Sequence, residues 1–115
     1  MDKLNQYREI IERILTSIVE VAERSSDADP GLRDKTIFDR RSDNYLILRE
    51  GWAGPRHINL NVVHVEIIDG KVWVQVDNTD QAIARTLHHA GIPKSDIVLG
   101  FQPEHVRPYT DYAAA

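Results

Sequence analysis

The side chains best able to move a proton or bind a metal near neutral pH are the five histidines, and their spacing limits that chemistry. His64 and Glu66 alternate along a strand-like stretch and so share one face, as a general acid–base couple would require. A cross-strand hydrogen bond or an interface contact is the commoner use of such a pair. His88 and His89 are neighbours in a helical stretch and project about 100° apart, which suits a wet helix face better than one shared ion. The chain has no cysteine and no HExxH, so neither a metal nor another cofactor is expected. No GxSxG elbow, P-loop, GxGxxG fingerprint or EF-hand is present, and catalysis through His64 and Glu66 is the weakest functional reading. Arg40 and Arg41 offer contacts to a phosphate or to an acidic partner. Asp34, Asp39, Asp43 and Glu50 interleave with the neighbouring cations, however, which favours a solvated mixed-charge surface.

The element that must position the histidine–glutamate pair is the stretch Val62 to Asp77, VVHVEIIDGKVWVQVD. Asp69-Gly70 supplies the positive φ angles of a type I′ turn, so two strands are expected to pair directly across it. That register sets Glu66 opposite Trp73, Val65 opposite Val74, His64 opposite Gln75 and Val63 opposite Val76. Val63, Val65, Ile67, Val72, Val74 and Val76 then share a core face. The other face carries His64, Glu66, Ile68, Lys71, Trp73 and Gln75, which is too polar for a core and too aromatic for ordinary wet surface. A partner-binding surface is expected there, anchored by Trp73. The alternative is that a C-terminal segment with Phe101 and Tyr109 folds back and buries the indole. Core packing is the default expectation for a tryptophan, Trp52 included.

The other elements follow from periodicity. Asp2 to about Arg24 reads as a helix capped by Asp2, with Leu4, Tyr7, Ile11, Ile14, Ile18 and Val21 on its apolar stripe. Lys35–Asp39 and Tyr45–Glu50 flank the turn-forming DRRSDN, and GWAGPR is expected to break the sheet. The apolar phase changes between Ile58, Leu60, Val62 and Val63, Val65, Ile67, so a strand keeping both sets in the core needs a bulge near Val62-Val63, the alternative being a strand whose two ends face different layers. A second helix is expected to run to about Ala90 from a cap at Asn78 or Thr79, ended by Gly91 and Pro93. Ile97–Phe101 is a short apolar run, and a helical turn is expected at Pro103–Val106. The pattern is α+β, an antiparallel sheet built on hairpins and packed against an N-terminal and a second helix.

The 115 residues are expected to form a single domain with one core, and 42% hydrophobic with 28% charged residues is the composition of a soluble globular protein. No apolar run approaches a membrane span, no secretory h-region opens the chain, and a cytoplasmic location is expected. A formal charge of −4 leaves little long-range attraction to a phosphate backbone.

Several strings resemble the XisI family, the fdxN element excision controlling factors of cyanobacteria. They are MDKLNQYREIIERIL, KTIFDRRSDNYLIL, Gly51-Trp52, HVEIIDGKVWVQ and AGIPKSDIVLGFQPEHVRPYTDYA, covering nearly the whole chain. The resemblance implies an accessory role in programmed excision of a DNA element during heterocyst differentiation, with a site-specific recombinase and an XisH-like companion. It brings no catalytic residues with it. Protein contacts, including those of a homo-oligomer, are the leading reading. A DNA-binding accessory module using Arg40 and Arg41 is the second.

Overall fold

The computed structural model describes residues 2–115 and shows an α+β fold in which two helices cover one side of a five-stranded sheet. The elements are α1 (Lys3–Glu23), β1 (Leu32–Asp39), β2 (Asn44–Ala53), β3 (Arg56–Ile68), β4 (Lys71–Asp77), α2 (Ile83–His89) and β5 (Ile97–Leu99). Strand order equals chain order. The first four strands form antiparallel hairpins, and β5 joins β4 in parallel after a crossover through α2.

Asp2 caps α1 by accepting from the Leu4 N–H at 3.0 Å, and the helix buries Tyr7, Ile11, Ile14, Leu15 and Val19. Val21, expected on that stripe, is 56% exposed, because the buried stripe ends at Val19. In the core, α1 meets Tyr45, Ile47, Val63, Val65, Val72 and Val74, and α2 adds Ile83, Ala84 and Leu87.

The β3–β4 turn has φ of 50° at Asp69 and 79° at Gly70, as a type I′ turn requires. The expected register holds from Ile68 opposite Lys71 to Val65 opposite Val74 and then slips. His64 pairs with Val76 and Val63 with Asp77, so Gln75 is an extra residue in β4. The slip carries Val76 away from the core to the face of His64. A second bulge falls where the phase change demanded it. Ile47 pairs with Val63 and Leu48 with Asn61, leaving Val62 extra, so that Val62 and Val63 are both buried.

GWAGPR does not break the sheet. Ala53 pairs with Arg56 across a two-residue turn made by Gly54 (φ 61°) and Pro55, and the β2–β3 hairpin runs unbroken through it. Glycine first and a negative-φ residue second is the pattern of a type II′ turn, which proline's fixed φ suits. Trp52 stands near this tip, 57% exposed and packed on the His57 ring at 4.8 Å, instead of in the core.

The second helix also starts later than expected. Neither Asn78 nor Thr79 caps it. Ala82 takes that position at φ 50°, and the Asp77 carboxylate accepts from the N–H groups of Thr79 (3.0 Å) and Ile83 (2.9 Å). A carboxylate at the strand end thus supplies the cap that the local sequence lacks. The 3₁₀ turn near the C-terminus spans Arg107–Tyr109, following the turn at residues 104–106.

Candidate functional site

The sheet face opposite the helices is the candidate surface, and strand register assigns its residues. One row runs across all five strands as Asp39, Asn44, Glu66, Trp73 and Val98. The next runs as Ile37, Leu46, His64 and Val76, with Leu48 beyond it. His64, Glu66, Ile68, Lys71, Trp73 and Gln75 are all partly exposed, so the structure brings the six together on one face. Ile37, Leu46 and Leu48 extend that face and escaped the sequence reading. The uninterrupted apolar run Tyr45–Leu48 carried the signal, since a strand apolar on both sides serves two surfaces.

The hydrogen bonds on this face do not couple His64 to Glu66. His64 Nε2 lies 2.7 Å from Asn44 Oδ1 and donates there in the tautomer protonated at Nε2, whereas Glu66 accepts from the Gln75 amide at 3.3 Å. His64 and Glu66 are thus each satisfied by a cross-strand neighbour, whereas the buried Oδ1 of Asn61, opposite Leu48, has no partner.

The C-terminal segment crosses the Trp73 end of this face. Ala113 N donates to Ile97 O at 2.8 Å, Val98 bridges to Ala113, and the Lys71 ammonium donates to the backbone of Ala115. The Arg107 guanidinium lies 5.0 Å from the Trp73 ring centroid, within cation–π range. Trp73 is therefore half-buried in the free chain. A Cβ on Gly100 would come within 3.1 Å of the indole, so glycine is what lets the chain pass so closely. Phe101 and Tyr109, the residues expected to do the covering, remain 49% and 89% exposed. Val98 is fully buried, although it lies on this outer face, because the chain passes across it between Arg107, stacked on Trp73, and Ala113, paired at the edge of β5.

The other candidates are dispersed. His88 Nδ1 lies 3.0 Å from the Ile92 carbonyl at the end of α2, and its ring centroid is 5.9 Å from that of His89. Arg40 makes a two-pronged ion pair with Glu12 of α1 at 2.8 and 2.9 Å, leaving Arg41 exposed beside it. Among the described residues, no three His, Cys, Asp or Glu side chains converge as a metal site would need, and no helix is long and apolar enough to cross a membrane.

Two polar networks tie α1 to the rest of the fold. Arg8 donates to both oxygens of Asp43 at 2.8 and 3.1 Å, and the Tyr45 hydroxyl donates to the same carboxylate at 2.9 Å. The Arg8 hydrogen bond holds the Asp43 carboxyl below its usual range, while burial pushes the Tyr45 phenol up. The Tyr7 hydroxyl donates to Asp96, which also pairs with Lys3 at 3.2 Å. Burial, then Asp96, raises Tyr7 from 10.0 to about 12, and the same hydrogen bond lowers Asp96. These groups lie on the helix-covered side and fix α1 to the β1–β2 turn and to the residues before β5.

Fold and surface together define a small α+β protein whose most developed feature is a mixed polar and apolar sheet face, a surface suited to macromolecular contact. Residues 1–114 match the sequence profile of the family described as XisI protein, and the chain belongs to that family. It is similar to an XisI-like protein from Anabaena variabilis solved at 1.30 Å (36% identity, TM-score 0.86, covering 98% of this chain and all of that one). It is also similar to the fdxN element excision controlling factor XisI from the same organism (35% identity, TM-score 0.83, covering 99% of this chain and all of that one). No curated protein matches the sequence.

Proposed function

We propose that this chain is an accessory factor in the programmed excision of a DNA element, acting by protein contact through the outer sheet face and not by cutting or rejoining DNA. The observation that carries the reading is membership of the XisI family, together with near full-length similarity to a protein described as an excision controlling factor. The partner is an XisH-like protein in the cytoplasm, through which the chain acts on a site-specific recombinase and its DNA. A face that carries a half-buried tryptophan at one end, Leu46 and Ile37 at the other and hydrogen-bonded polar groups between them has the make-up of an interface core with its rim. Electrostatics favour protein over DNA, because Glu12 already neutralises Arg40 and the net charge is −4.

Coexpression with an XisH-like chain tests the proposal. The two copurify, and Leu46→Glu or Leu48→Glu weakens the association about tenfold or more while the fold stays intact. Failure of the wild-type chain to bind the XisH-like protein refutes the partner. Binding unaffected by either variant refutes the surface, and salt-dependent retention on duplex DNA that Arg41→Ala abolishes would favour the DNA-contact reading instead.

A further inference from the structure

We propose that a second copy of this chain occupies the β1 edge and the adjacent flank of α1, forming a two-fold dimer whose sheet is continuous across both copies. The inference rests on no part of the excision reading.

The edge is open. Gly31 O accepts from Trp52 N at 2.9 Å, so odd-numbered residues of β1 direct their backbone groups toward β2. Asp34, Thr36 and Phe38 direct theirs outward, where among the described residues they have no backbone partner. The strand contains no proline, and its pairing with β2 has no bulge. Cations commonly guard such an edge, but Arg33 and Lys35 are both drawn to Glu50 across β2, at 3.1 and 3.4 Å.

The flank of α1 beside this edge is self-complementary. Glu9, Arg13, Thr16, Ser17, Glu20 and Arg24 recur at steps of three and four and form one stripe lining a shallow groove with Phe38 and with Glu12, whose charge is already taken by Arg40 of the same copy. Read along the helix, the order is acid, base, two small hydroxyls, acid, base. An antiparallel copy therefore meets it with Arg24 against Glu9, Glu20 against Arg13 and Ser17 against Thr16, each pair occurring twice about the axis. The small residues fall at the centre, where two helices must approach closest.

Strand and helix agree on where the axis lies. Phe38 shares the groove with Thr16 and Ser17, which places the helix midpoint over the C-terminal part of β1, next to Ile37. An axis through Ile37, itself 45% exposed, sets Ile37 on its own copy, Lys35 against Asp39 and Thr36 against Phe38. An axis through Lys35 would bring two ammonium groups together. Spacing is also consistent. α1 lies across β1 and β2, and with strands about 4.8 Å apart the two helices come to about 10 Å, an ordinary packing distance.

Sedimentation equilibrium on the purified chain provides the test. The expected mass is twice 13.1 kDa. Arg13→Glu and Glu20→Arg each weaken dimerisation about tenfold or more by turning two attractions into repulsions, and the combined variant recovers wild-type association because opposite charges again face each other. Both side chains are exposed, so circular dichroism should be unchanged in all three variants, and any fall in melting temperature of the single variants should track the lost association and be recovered in the combined one. A monomer at every concentration, a dimer indifferent to both single reversals, or a double variant no tighter than the singles would each overturn the proposal.

Discussion

Replacing Trp73 with alanine measures how firmly the C-terminal segment holds the outer face. A buried indole removes 150–250 Å² from water, so about 100–150 Å² for a half-buried one, at about 25 cal/mol per Å², corresponds to roughly 3 kcal/mol. Loss of the Arg107 contact adds about 0.5–1 kcal/mol, and the retained Cβ offsets a similar amount. For a chain of 115 residues, a loss near 3 kcal/mol lowers the melting temperature by roughly 10 °C. Arg107→Ala removes only the stacked guanidinium and its 3.1 Å bond to Gln102 O, which is worth about 1 kcal/mol and a few degrees. Thermal melts of both variants, with indole fluorescence followed in a Trp52→Phe background, separate the two contributions. If Trp73→Ala melts with the wild type, the ring is not packed under the tail, and the account of Val98 as buried by that tail fails with it.

The cap of α2 yields a pair of opposite effects in urea denaturation. Asp77→Ala should cost about 1–2 kcal/mol through the lost N–H acceptors, while Ala82→Gly should stabilise by about 1 kcal/mol because its φ of 50° strains a Cβ; the same sign for both would contradict this cap. Tyr7 makes stability depend on alkaline pH. Its folded value is raised, so the native state holds the phenol proton more tightly than the unfolded chain, and the contribution is intact below pH 10 and lost on rising from about 10 to 12. The loss approaches about 3 kcal/mol, and Tyr7→Phe should remove that part of the pH slope; an unchanged slope would show that Tyr7 is not its source.

How much of this was legible in the sequence depended on whether the relevant interaction was local. The cap at Asp2, the Asp69-Gly70 turn and the bulge at Val62 were readable because a side chain next to a helix, a φ requirement or a change of hydrophobic phase each leaves a trace within a few residues. The bulge at Gln75 left no such trace. VWVQV alternates perfectly, and only pairing with β3 moves Val76 to the outer face while delivering Asp77 to cap α2. Gly54-Pro55 was misread for a related reason. A glycine and a proline together look like an interruption, yet their opposite signs of φ build the tight reversal that keeps β2 and β3 paired.

The same distinction governs the candidate surface. Alternation along β3 and β4 separated His64, Glu66, Ile68, Lys71 and Trp73 from every core-face valine except Val76, because a period of two holds wherever a strand is regular and fails past the bulge at Gln75. Whether that face is open could not come from alternation, since cover is a property of whichever segment returns to it. Val98 illustrates the point. It pairs with Trp73, belongs to the face opposite the core and is nonetheless fully buried, because the chain crosses it between Arg107 over Trp73 and Ala113 at the sheet edge. Its neighbours Ile97 and Leu99 turn to the helix side. An apolar tripeptide with both sides shielded can only sit between two layers, so Ile97–Leu99 locates the tail's docking site as surely as the tail itself does. The open part of the face then lies on β1 to β3, around Leu46 and Ile37, and it is there that a charge would disturb a partner without disturbing the fold.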